Sequence, residues 1–195
     1  MKACGNDANP ADDLTPLGEN TLEIRKELRT LRNSLPQTEK QIAALEERLR
    51  TEFLPRVTEL CRGAKSGVAF AHILAGAIHS ELRQHRESQA AYLRADQLRP
   101  GDLSILNGLC SSAVESGDLS EAKRAAKLIT EFHPVEAEGW RNLAMISCMT
   151  GDLKEAVAAA DRAIKLDPVD MKSRMIRETC ADLRRLGKSG RSQRN

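Results

Sequence analysis

The chain has 195 residues, 41% of them apolar and only 3% aromatic. That balance argues against a β-sandwich or barrel and favours an all-α protein built from the helix formers Ala, Leu, Arg and Glu. Thirty Lys and Arg against 28 acids leave a net charge of +2, too little for bulk attraction to nucleic acid or membrane. No apolar run is long enough to span a bilayer.

Residues 1–19 carry one lysine against four acids and are rich in Asn, Asp, Pro and Gly, which predicts a disordered acidic N-terminus. The opening Met1-Lys2-Ala3-Cys4-Gly5 lacks the apolar stretch of a signal peptide or lipoprotein leader. The five cysteines (4, 61, 110, 148 and 180) are odd in number, far apart and without a C-x-x-C pair. They predict neither a disulfide framework nor a zinc site, and a reducing, cytoplasmic setting suits them best.

Residues 20–66 form the second region, a coiled-coil-like helical segment. Asn20-Thr-Leu-Glu23 reads as a capping box opening a helix. Ile24, Leu28, Leu31, Leu35, Thr38, Ile42, Leu45 and Leu49 then alternate steps of four and three residues, the spacing of a coiled-coil seam. Pro36 interrupts the seam, so the sequence predicts one kinked helix or two nearly collinear ones over 20–53, with a second break at Pro55. The stripe has three possible uses: packing on the first repeat of its own chain, pairing with a second chain as a homodimer through 24–49, or binding a different protein.

The second half is organised by a repeat. Pro100, Pro134 and Pro168 are spaced by 34 residues. The same period aligns Glu87, Glu121 and Glu155; Leu98, Phe132 and Leu166; Ala95, Ile129 and Ala163; and Gly117 with Gly151. Asp118-Leu-Ser-Glu121 and Asp152-Leu-Lys-Glu155 are helix-opening capping boxes, each preceded by a glycine suited to ending the previous helix. Small residues after each cap allow close helix approach, and each proline stops the second helix. Every unit is therefore helix, turn, helix, stop.

A 34-residue helical pair with Trp140, Leu143, Gly151, Ala156, Ala163 and Pro168 resembles the tetratricopeptide repeat (TPR). The expected units are 69–102, 103–136 and 137–170, with a capping helix at 171–187; together they make a TPR domain over 67–187. In the first unit, His72 holds the Trp position and Arg83 stands where the turn glycine belongs. The fold expected is an all-α, TPR-type α-solenoid of three helical hairpins plus a C-terminal cap, preceded by a kinked amphipathic helix. In the cap, Met175, Ile176, Thr179, Leu183 and Leu186 form the expected apolar stripe, and Gly187 ends the helix. The tail, 188–195, is basic and expected to be disordered.

The resemblance implies a concave groove lined by the first helix of each pair. Its partner-binding positions would be Phe70, Ile73 and Ala77; Asn107, Ser111 and Val114; and Arg141, Met145 and Met149. Cys148, Met175 and Thr179 would stand nearby, and residues 20–60 of the same chain could instead cover the strip. Glu138 speaks against a ligand carboxylate at this surface.

No phosphate-binding glycine loop, metalloprotease motif or nucleophile elbow is present. His72, His79, His85 and His133 lack metal-pair spacing, and Cys110 falls where the repeat wants a buried small residue. No catalytic residue, cofactor or metal site is predicted. The sequence predicts a non-enzymatic adaptor binding a protein or peptide segment in the groove, with a secretion-type chaperone holding an apolar client as the alternative. Nucleic-acid binding through the basic tail is disfavoured by the scarcity of stacking aromatics.

Overall fold

The computed structural model of the chain describes residues 10–32, 39–62 and 68–192. These residues are helical throughout apart from short turns, without a strand among them, and fall into two compact units meeting in sequence at Pro100 and Gly101.

In the first unit, α1 spans Pro10–Arg32. The expected boundary at Asn20 is corrected: the helix opens ten residues earlier, at a proline, which the first turn accepts because its missing N–H has no partner there anyway. Asn20-Thr-Leu-Glu23 is thus helix interior. Expected disorder over residues 1–9, and the break at Pro36, lie outside the described residues.

The next helix, α2 (Glu39–Arg48), continues through a π-helical turn at Leu49–Phe53 into α3 (Leu54–Cys61). Pro55 does not break it. A proline in a helix loses one hydrogen bond and crowds the carbonyl four residues back. The wider turn, in which the Leu54 amide bonds the Leu49 carbonyl five residues back, coincides with that crowding.

The two arms are not collinear. On one straight helix, residues 14 apart would sit about 21 Å apart, yet Arg32 Nη2 donates to Glu46 Oε1 at 2.6 Å. The chain therefore folds back, and Ile24, Leu28, Leu45 and Leu49 enter one core with Phe53, Val57, Leu74, Ala75 and Ile78. These four stripe residues are at most 8% exposed and pack on the first hairpin of their own chain.

That hairpin is α4 (Val68–Glu81) and α5 (His85–Leu98). At Gly76 a Cβ would lie 2.9 Å from the Tyr92 ring, so the bare backbone is what lets α5 approach, and Ser88 Oγ donates to the Gly76 carbonyl at 2.8 Å. Arg83 takes the turn in the left-handed region, φ 58°, matching Gly117 (83°) and Gly151 (79°) one and two periods on. The buried Glu81 carboxylate accepts from Arg25 at 3.3 Å, Arg29 at 3.1 Å and Arg32 at 2.9 Å, pinning α1 to the end of α4.

The second unit holds α6 (Leu103–Ser116), α7 (Leu119–Phe132), α8 (Ala137–Met149), α9 (Leu153–Leu166) and α10 (Met171–Ser192). The expected caps form: Asp118 accepts from the Glu121 amide at 3.1 Å and Asp152 from the Glu155 amide at 3.2 Å. The three repeat prolines occupy equivalent places, each two residues beyond the ends of α5, α7 and α9. Immediately before them, the Arg99, His133 and Asp167 amides bond the carbonyls of Ala95, Ile129 and Ala163.

Two expectations about the C-terminus change. α10 runs through Gly187 to Ser192, so residues 188–192 are helical and only 193–195 lie outside the described residues; a mid-helix glycine costs about 1 kcal/mol, too little to stop it. The packed face of α10 is also rotated from the apolar stripe: Ser173 and Cys180 are fully buried, whereas Met175, Leu183 and Leu186 are exposed. Close approach to a neighbouring helix selects small side chains, not the most apolar ones. Cys148 and Cys180 form a disulfide joining α8 to α10, with their Cα atoms 6.2 Å apart. The cysteine count alone did not predict it.

Candidate functional site

The groove positions divide between the units. In the first, Phe70, Ile73, Leu74 and Ala77 of α4 face Gly18, Glu19, Leu22 and Arg25 of α1 across a cleft of about 410 Å³. α1 thus runs beside the α4 face that carries Phe70, Ile73 and Ala77. Ala77 is buried, and a Cβ on Gly18 would lie 3.1 Å from the Phe70 ring. Phe70 and Leu22 remain 39% and 46% exposed at the cleft mouth.

In the second unit, Asn107, Ser111 and Val114 of α6 meet Met145 of α8 around a cavity of about 220 Å³. Cys110 and Glu115 of α6 and Glu138 and Asn142 of α8 complete its wall. Cys110, Glu115 and Asn142 were not among the expected positions; each is one residue along from one that was, because the cavity lies between two helices and not on the crest of either. The Asn107 side-chain oxygen is buried there without a hydrogen-bond partner among the described residues. Burial, reinforced by the Glu138 charge, pushes the Cys110 thiol up to about 12, so it stays protonated and unreactive.

Two expected members stand outside this cavity. Arg141 turns toward α10, donating to Asp170 Oδ2 at 3.0 Å, with Glu138 at 3.3 Å. Met149 is 52% exposed beyond the cavity wall. Asp170 caps α10. Burial works to raise its pKa, but hydrogen bonds from Ser173, Arg141 and the Lys172 amide outweigh this and hold it at about 2. Glu155 is the matching anchor between hairpins. Burial is again outweighed, here by Lys123, Ser147 and Lys127, and its pKa is held at about 2. Cys148, the other groove cysteine, is taken up by its disulfide. His72 is pushed below its ordinary pKa by burial and by Arg94. Trp140 donates its indole N–H to the Pro134 carbonyl at 2.9 Å, with Arg162 stacked 5.9 Å from the ring centre.

Among the described residues, no group of three or more His, Cys, Asp or Glu could hold a metal ion. None of the described helices is long and apolar enough to cross a membrane.

The family model described as "Tetratricopeptide repeat" matches residues 137–168, the α8–α9 hairpin. That hairpin is a tetratricopeptide repeat, and the chain's helical hairpins are of the TPR type. Among solved TPR structures, YrrB, titled "a TPR protein with an unusual peptide-binding site", superposes with a TM-score of 0.61 at 18% identity, covering 88% of this chain and 92% of that one. MamA 41-end from Desulfovibrio magneticus RS-1 gives 0.59 at 16% identity, over 92% and 98% of the two chains. The first TPR of Spaghetti (RPAP3) bound to the HSP90 peptide SRMEEVD gives 0.57 at 13% identity, over 61% and 94%. At these identities the likeness is one of fold. The mouse protein O-mannosyl-transferase TMTC1 is 30% identical over 117 residues, 58% of this chain, which spans only 12% of that protein's length.

Proposed function

We propose that this TPR protein is a non-enzymatic adaptor that holds a segment of a partner protein against the α6–α8 face of its second unit. One observation carries the reading. Met145 and Met149 of α8 stand 37% and 52% exposed, Met145 lines the α6–α8 cavity, and the TPR resemblance assigns both to the binding face. Methionine adapts its shape to varied apolar partners, which suits a surface that grips a segment. YrrB's peptide-binding site and the peptide on the RPAP3 repeat lend the reading support by likeness of fold.

A second reading, a chaperone for an apolar client, is favoured by the further exposed Met171, Met175, Leu183 and Leu186 on α10. The Cys148–Cys180 disulfide favours an oxidising compartment over the reducing cytoplasm expected from the cysteine count.

The test is affinity capture with the full chain against Met145→Glu plus Met149→Glu. Both positions are exposed, so helix content should be unchanged while captured partner falls at least about tenfold, or 1.4 kcal/mol. Undiminished capture would remove the proposal.

A further inference from the structure

The α6–α8 cavity has a chemical bias that the adaptor reading does not use. Two carboxylates, Glu115 and Glu138, belong to its wall, and among the described residues no lysine or arginine does. The nearest cation on the same helix, Arg141, is drawn to Asp170 at 3.0 Å, and Glu138 keeps a 60% exposed side chain even with Arg141 at 3.3 Å. The Asn107 oxygen is a buried acceptor with nothing to accept from. A buried acceptor left without a donor carries a desolvation penalty that a suitable ligand would relieve. Ser111 and Asn142 add polar groups, while Val114, Cys110 and Met145 supply apolar wall.

The volume sets the scale. At about 30 Å³ per water, 220 Å³ holds about seven waters, the room of one long side chain. A long cationic side chain combines what the wall asks for: methylenes for the apolar part and donors for the acceptors. Asn107 on α6 and Glu138 on α8 supply acceptors from two helices, and a planar guanidinium with five N–H donors can meet both at once, whereas an ammonium is a point charge.

Resting on the adaptor reading, the geometry points to an arginine of the bound segment as the occupant of the α6–α8 cavity, held by the Asn107 oxygen and the Glu138 carboxylate. An acidic peptide such as the SRMEEVD bound to the RPAP3 repeat would meet like charge here.

The cavity can be probed without knowing the partner. N-acetyl-arginine methylamide is titrated into the isotope-labelled full chain at about 0.15 M salt, where screening is physiological, and the side-chain amide signals of Asn107 and Asn142 are followed. The expected result is saturable shifts with a Kd on the order of millimolar. Binding should be at least about fivefold weaker for the neutral citrulline analogue and at least about threefold weaker for the lysine analogue. Glu138→Gln, at an exposed side chain that folding does not need, should erase the preference for arginine over citrulline while leaving the melting temperature unchanged. No saturable shift, equal binding of arginine and citrulline, lysine binding as tight as arginine, or an indifferent Glu138→Gln variant would each overturn the assignment. Loss of capture in the Met145→Glu plus Met149→Glu variant alongside such a result would leave the adaptor reading standing; undiminished capture would remove both.

Discussion

The α4–α5 and α8–α9 hairpins reach the same backbone by different means. The later one is self-sufficient: Gly151 takes the left-handed turn without penalty and Asp152 caps the second helix. The earlier one places Arg83 in that conformation, and Gln84, where the capping aspartate would be, makes no side-chain cap and instead bonds His79 at 2.7 Å. The weaker hairpin is the one that α1 overlays and that Glu81 ties to three arginines. A local deficit in turn chemistry is thus offset by tertiary contacts between α1 and α4.

The contrast breaks most severely at Glu81. Glu81→Gln leaves three arginines without their shared buried carboxylate, and a loss of about 3 kcal/mol is expected. In a denaturant titration the Tyr92 signal of the first unit should move to lower denaturant, ahead of Trp140 in the second. In the second unit, Gly139 lies so close to Ile129 that a Cβ would overlap its Cγ2. Gly139→Ala should cost about 2 kcal/mol through overpacking and lower the Trp140 transition first.

Acid should act on the second unit more gently. Glu155 and Asp170 both have folded pKa values of about 2, below their ordinary values. Each therefore contributes stability that is complete above its unfolded pKa and lost as pH falls through the folded one, a window from about 4.5 down to about 2. Solvent screens part of the effect, since the Glu155 side chain is 27% exposed. Melting temperature followed at Trp140 should fall across that window, and Glu155→Gln should flatten the decline. The smallest effect has the opposite sign. Arg83→Gly relieves the left-handed strain and should stabilise by about 0.5–1 kcal/mol after the entropic cost of glycine, whereas Gly151→Arg should destabilise by a similar amount. Thermal melts of the two variants check both signs.

The repeat was legible because its punctuation is local. Prolines, capping aspartates and turn glycines each act within a few residues, so a 34-residue period in them is a period in the chain path. The Ile24–Leu49 stripe announced that it would be buried but carried no record of its partner, since heptad spacing suits a neighbouring helix from any chain. The opening of α1 was hidden because Asn20-Thr-Leu-Glu23 imitates a helix start that the preceding turns override. The Cys148–Cys180 bond was hidden by a sequence separation of 32 residues, close to one repeat, which is what brings two facing helices together. Asn107, Ser111, Val114 and Met145, which the TPR resemblance put on one face, line one cavity. Arg141 does not, because a carboxylate at the start of α10 draws it away.

The most direct test sets the α1–α4 cleft against the α6–α8 cavity in one capture experiment, comparing Phe70→Glu in the first unit with Met145→Glu in the second. Both side chains are partly exposed, so both variants should fold. Partner retained by Phe70→Glu and lost from Met145→Glu is the expected result; the reverse pattern would contradict the assignment of binding to the second unit.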